Sequence, residues 1–254
     1  MAVTPCVPFF GCLETLARQR CLMLDPLASQ IHSSAMNRPT LPLIDPTFMF
    51  RFRSQLRRCK AEWTEEGIAL SPQYKLPCFA EVSGKKLFAD VRAGWHEEGL
   101  YFTAKITGKR QPPWCRDTRP EESDGLHVWI DTRDTHNIHR ASRFCHRFVF
   151  APQGQGKAGI QPFGAMLPIH RAKEDPSTFG NHRFEVLSTL RTNGYEIAAV
   201  IPTDLLAGFN LEEHPRLGFF YAIADRELGW QTWNLGPEYP ITEDPSLWGT
   251  VVLN

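Results

Sequence analysis

The sequence predicts an all-β protein, an antiparallel β-sandwich of the jelly-roll or immunoglobulin-like kind. Short segments of alternating apolar and polar residues recur through most of the chain. Clusters of turn-forming residues separate them. No helix-strand alternation intervenes, which argues against a parallel α/β sheet.

The elements follow in order. Phe48–Arg53 and Ile68–Leu70 read as early strands. In Leu87–Ala93 the residues Leu87, Ala89, Val91 and Ala93 share one face. Glu97, Glu98 and Gly99 make a tight turn, and Leu100–Thr107 returns with Leu100, Phe102, Ala104 and Ile106 on one face. Gln111–Ser123 is a polar loop containing Pro112, Pro113 and Pro120. Leu126–Asp131 comes next, with Leu126, Val128 and Ile130 on one side and His127, Trp129 and Asp131 on the other. After the polar turn Thr132–Arg140, Arg143–Phe150 places Phe144, His146, Phe148 and Phe150 opposite Arg147. Ala151–Pro176 is rich in Gly and Pro and reads as a long loop with a brief strand inside. Phe184–Thr189 and Tyr195–Ile201 flank Arg191–Gly194, where Asn193-Gly194 is a strong hairpin signal. Pro202 ends that strand, and Thr203 caps a helical turn through Leu206. Leu217–Ala224, Trp230–Trp233 and Gly249–Leu253 complete the sheet.

Composition narrows the function classes. Hydrophobic residues make up 42% of the chain and charged residues 22%, as in ordinary globular domains. Lys+Arg and Asp+Glu balance at 28 each. No global field therefore favours nucleic acid or an anionic membrane. No apolar run approaches the roughly 20 residues of a bilayer span. The 7 cysteines contain no CxxC pair, so mostly free thiols are expected. Val7–Cys12 is apolar but short and lacks a preceding basic segment, so no export signal is recognised and a cytoplasmic location is favoured. Residues 1–40 lack a clean period. They read either as a disordered tail or as a start assigned too early, with Met36 as the true start. Residues 41–254 then form a single domain.

Six stretches stand in a specific order: Val91 to Tyr101, Pro113-Trp114, Ser123 to Asp131, Tyr195 to Pro202, Leu217 to Asp225, and Asp244 to Gly249. Over roughly residues 85–254 they resemble the family 9 carbohydrate-binding modules and the wider DOMON-type sandwiches. That resemblance implies non-catalytic binding of a carbohydrate or small polar ligand. In the family two indoles sandwich a terminal sugar, and flanking polar side chains bond its hydroxyls. Trp114 corresponds to the first indole after a short insertion. His127 stands where the family has a glutamate, and Arg147 corresponds to its ligand-binding arginine. Thr242 occupies the place of the second indole, with Tyr239 three residues earlier as a substitute platform. The candidate ligand-binding set is therefore Trp114, His127, Trp129, Arg147 and Tyr239.

No cofactor is required on this reading. Calcium-stabilised relatives make Asp90, Asp131 and Asp225 candidate oxygen ligands. Haem-binding DOMON relatives offer an alternative, electron transfer, for which Met166 and His170 are the candidate axial ligands. A structural module with a degenerate groove is a further alternative.

Individual residues keep two readings. The face of His127, Trp129 and Arg147 is either a ligand groove or an amphipathic surface covered by the 151–176 loop. Trp114 is a binding platform or a loop anchor. Trp95 and Trp248 read as core; Trp230 and Trp233 as core or the rim of a site. His136, His139, Cys145 and His146 fit no zinc spacing. The chain lacks GxSxG, HExxH, P-loop and dinucleotide motifs in their required contexts, and the expectation is a protein that is not an enzyme.

Overall fold

The computed structural model describes residues 46–254 apart from 61, 80, 82, 83 and 85. The expectations for residues 1–40 fall outside the described residues. Within them, no helix is long and apolar enough to cross a membrane.

The chain is all-β. Its strands are β1 (Arg53–Arg58), β2 (Ala89–His96), β3 (Gly99–Thr107), β4 (Gly125–Asp131), β5 (Cys145–Gln155), β6 (Gln161–Leu167), β7 (Val186–Arg191), β8 (Gly194–Pro202), β9 (Arg216–Asp225), β10 (Gly229–Thr232) and β11 (Gly249–Leu253). The hydrogen-bonded order is β6-β5-β4-β9-β11-β1-β2-β3-β8-β7, with β10 also on β9. β11 and β10 occupy successive lengths of the same edge of β9.

The pairing is antiparallel except around β1. Arg53–Leu56 runs parallel to Thr250–Leu253, and Arg57 and Arg58 run parallel to Gly94 and Trp95. This corrects the expectation of a purely antiparallel sheet. Antiparallel neighbours follow from hairpins, whereas parallel ones need long connections. The chain between β1 and β2 is such a connection. By changing partners midway, β1 joins the β6-β5-β4-β9-β11 ladder to the β2-β3-β8-β7 ladder.

Alternation explains the core. Val91, Ala93 and Trp95 of β2, Leu100, Phe102 and Ile106 of β3, Leu126, Val128 and Ile130 of β4, Phe148 and Phe150 of β5, and Phe219 and Tyr221 of β9 belong to one buried cluster. Phe102 and Phe219 come from different ladders, yet their rings lie parallel with centroids 6.4 Å apart. Each large side chain so buried contributes about 1.5–3 kcal/mol. Trp95 and Trp248 are core residues, as expected, and their indole N–H groups donate to the carbonyls of Asn254 and Ile241. Trp233 is likewise core.

Several local expectations change. Ile68 and Leu70 form no strand; they bury their side chains with Cys59, Tyr101 and Val200 in a smaller cluster. The segment 151–176 is not a covering loop. β5 runs on to Gln155 and pairs with β6 as a hairpin, with a register shift between Ala151 and Gln155. Thr203 does not cap its turn; its hydroxyl donates to the carbonyl of Glu97. The hairpin between β7 and β8 turns on Thr192 and Asn193, because Arg191 already pairs with Gly194. Gly194 is needed for another reason: a Cβ there would run into the backbone carbonyl of Ile106 on β3.

Candidate functional site

β4 carries two of the expected residues. With Leu126, Val128 and Ile130 turned into the core, His127 and Trp129 face the other way. Trp129 stands opposite Arg147 of β5 on one side and Phe220 of β9 on the other. His127 and Trp129 stack with centroids 6.0 Å apart, and Trp230 lies 6.1 Å from His127. The Arg147 guanidinium sits 5.4 Å from the centroid of the Trp129 ring.

This face is not the open groove expected. His127 and Trp129 are 0% exposed, and Arg147 is half-buried. The physical reason is that the neighbouring strands carry apolar residues on this side too, among them Val149, Phe220 and Ala222. Burial, reinforced by the Arg147 charge, pushes the His127 pKa down to about 3, so the ring is neutral. Its Nε2 lies 3.3 Å from the Ser123 carbonyl, which only accepts, so Nε2 carries the proton and Nδ1 is an acceptor. That Nδ1, the indole nitrogen of Trp129 and Nε of Arg147 are all buried without a hydrogen-bond partner.

Trp114 sits beside the start of β4, in the segment joining β3 to β4. Asp124, the residue before β4, fixes it. One Asp124 oxygen accepts the Trp114 N–H at 2.9 Å, and the other accepts the Arg226 N–H at 2.8 Å. Behind Asp124 lies an ion cluster that sequence reasoning missed. Lys109 Nζ lies 3.2 Å from Asp124 and 2.7 Å from Asp225, with all three side chains at 3% exposure or less. Burial opposes the Lys109 charge, but hydrogen bonds and charges from Asp225 and Asp124 outweigh it and raise its pKa. Burial raises that of Asp124 against the lowering effect of its two backbone N–H partners. These residues are far apart in sequence. The one signal was an acid at one end of each of two apolar strands, Asp124 just before β4 and Asp225 at the end of β9.

In front of this cluster opens a cleft of about 630 Å³, lined by Trp114, Gln111, Pro112, Arg226 and Glu227 among others. Glu227 accepts from the backbone N–H groups of Arg110 and Gln111, which lower its pKa. Two guanidiniums lie over the half-buried Trp114 ring, Arg116 at 4.8 Å and Arg226 at 5.0 Å from its centroid. Trp114 and His127 are thus held by adjacent residues: Ser123 holds His127, and Asp124 holds Trp114. Tyr239 lies elsewhere, in the segment between β10 and β11, where its ring stacks on Phe48 at 5.1 Å.

The other candidate groups have separate surroundings. His136 pairs with Asp134, His139 with Asp244, and His146 accepts the Ala207 N–H. The described residues include no group of three or more such side chains placed to share a metal. The candidate calcium ligands Asp90, Asp131 and Asp225 take donors from Arg92, from the N–H groups of Arg133 and Thr135, and from Lys109, respectively. Met166 and His170 do not fit a haem. Met166 is buried in the core, while His170 is 76% exposed in its side chain and pairs with Glu243. Ser246, His139 and Asp244 have the composition of a nucleophilic triad but not its geometry. The Ser246 hydroxyl and Asp244 Oδ2 both lie 3.1 Å from the same nitrogen, Nδ1, so the ring cannot relay a proton between them. The cysteines at 59, 115 and 145 are free thiols, and burial raises Cys115 and Cys145 to about 12.

The fold has known counterparts. No family model and no curated protein matches the sequence. Two solved structures share the architecture. One is a family 9 carbohydrate-binding module from Caldicellulosiruptor kristjanssonii in complex with cellotriose, with TM-score 0.52 and 13% identity over 80% of this chain and 94% of that one. The other is a family 9 module from the same organism in complex with glucose, with TM-score 0.53 and 13% identity over 80% and 96% of the two chains. The chain therefore has a fold like that of the family 9 modules.

Proposed function

We propose that this protein binds a carbohydrate, or a small polar ligand of similar chemistry, without transforming it. On this reading the two ladders face each other as a β-sandwich. The ligand enters the Trp114 cleft, with its ring against the indole. His127 and Arg147 supply an acceptor and a donor from the adjoining face.

The observation that carries the reading is the trio of unpartnered polar atoms on His127, Trp129 and Arg147. Buried polar groups are nearly always hydrogen-bonded, and each one left unmet costs about 1–3 kcal/mol. One acceptor beside two donors matches a ligand bearing hydroxyl groups. Trp129 and His127 are closed to solvent, so contact with them requires the ligand to displace what covers them; Trp114 and Arg147 are reached first. The likeness to modules solved with glucose and cellotriose supports the same class of ligand.

The test is a tryptophan fluorescence titration with glucose and cellotriose, using Trp114→Ala as the comparison. A saturable change that weakens at least about ten-fold in the variant is expected, the loss of a stacked aromatic platform. No change with any saccharide, in protein shown to be folded by a cooperative thermal transition, refutes the reading.

A further inference from the structure

We infer that the preferred ligand is anionic: the Trp114 cleft recognises an acidic pyranose, its ring on the indole and its carboxylate between Arg116 and Arg226. This inference rests on the carbohydrate reading above and names the ligand class.

Arg116 and Arg226 are exposed and converge on one ring. Their charges are therefore no farther apart than about one Debye length in 0.1 M salt, ~10 Å, and repel. Among the described residues no carboxylate lies within 4.0 Å of either guanidinium, although acids are close by. Those acids have other partners. Asp124 and Asp225 close on Lys109, Glu227 is held by the backbone N–H groups of Arg110 and Gln111, and Glu122 pairs with Arg119.

The two arginines are set in place by the backbone. Arg226 donates its N–H to Asp124, and Arg116 donates its N–H to the Ser123 hydroxyl at 2.9 Å. Ser123 and Asp124 are themselves buried, so the backbone of both arginines is anchored at the start of β4. The adjoining face repeats the imbalance. Arg147 lies over Trp129 with its Nε unpartnered; the one acid acting on it is the exposed Glu121, and only through space.

A neutral sugar stacked on Trp114 leaves two like charges beside it uncompensated. A carboxylate relieves them, and its planar pair of oxygens matches the guanidinium fork. A sulfate ester offers the same charge but in tetrahedral form. The ring of a uronate keeps the apolar C–H face that an indole accepts.

The experiment is calorimetric titration of the full chain with trigalacturonate and with cellotriose, at 20 and 200 mM NaCl. Trigalacturonate is expected to bind about ten-fold more tightly at low salt, with much of that advantage lost at high salt. Arg116→Gln and Arg226→Gln are each expected to reduce the acidic-to-neutral ratio several-fold, whereas Arg191→Gln, on β7, leaves it unchanged. Equal affinity for the two sugars, or a ratio indifferent to Arg116 and Arg226, overturns the inference and leaves the carbohydrate reading standing. No binding of either sugar by folded protein overturns both. Glucose 6-sulfate binding more tightly than glucuronate overturns the assignment to a carboxylate.

Discussion

Replacing Lys109 with methionine isolates the ion cluster beneath the cleft. Lys109 Nζ reaches both oxygens of Asp225 at 2.7 Å and one of Asp124 at 3.2 Å, and all three side chains are almost fully buried. Methionine fills a similar volume but leaves two buried carboxylates without a cation. Breaking a buried pair in this way costs about 3–5 kcal/mol, a large share of a typical stability of about 5–15 kcal/mol. With a urea m-value of about 2 kcal/mol per M, the unfolding midpoint falls by about 2 M. The loss must also depend on pH. Burial already raises the Asp124 carboxyl, and without Lys109 it loses a charge that lowers it, so the folded state takes up a proton there first and the penalty shrinks on acidification. Urea unfolding of Lys109→Met and wild type at pH 7.5 and pH 5, followed by tryptophan fluorescence, measures both effects. A loss below about 1 kcal/mol at pH 7.5, or one no smaller at pH 5, refutes the claim that this lysine compensates two buried charges.

Two other outcomes are expected. Burial holds the pKa of His127 at about 3 and of His146 at about 4, so the unfolded chain takes up protons first below the ordinary value of 6.5. Each residue then gives stability that is present above pH 6.5 and is lost at up to about 1.4 kcal/mol per unit as pH falls toward its folded value. Asp124 and Asp131, raised chiefly by burial, act in the opposite sense, so the informative comparison is wild type against His127→Leu between pH 7 and pH 5. Parallel stability–pH curves contradict a buried neutral His127. Gly194→Ala forces a Cβ against the Ile106 carbonyl and is expected to destabilise by about 3 kcal/mol in denaturant unfolding, although its φ is not of the left-handed kind. A change under about 0.5 kcal/mol shows that the β3–β8 pairing there yields readily.

Much of the strand pattern was legible because alternation is local. The β2–β3 and β7–β8 hairpins follow from period-two apolar residues around short turns, and so does the inward set Leu126, Val128 and Ile130. The candidate site was legible only in part. His127, Trp129 and Arg147 were correctly placed on one face, because strand parity and the β4–β5 register put them there. Their burial was not legible. Parity says which side a residue faces but not what lies against that side, and the expected covering loop proved to be another hairpin of the sheet. Tyr239 was chosen by sequence spacing from Asp244, and its position on Phe48 depends on how the segment before β11 packs.

The sequence by itself determined the all-β class, the faces of β2, β3 and β4, and the presence of Trp114 in a proline-rich segment before β4. Tertiary structure alone decided that β1 is parallel to both neighbours, that Lys109 meets Asp124 and Asp225, and that Arg116 and Arg226 converge on one indole. The difference is physical. Strand identity follows from side-chain alternation within a few residues, whereas charge pairing and ring contacts depend on which distant strand ends the sheet order brings together.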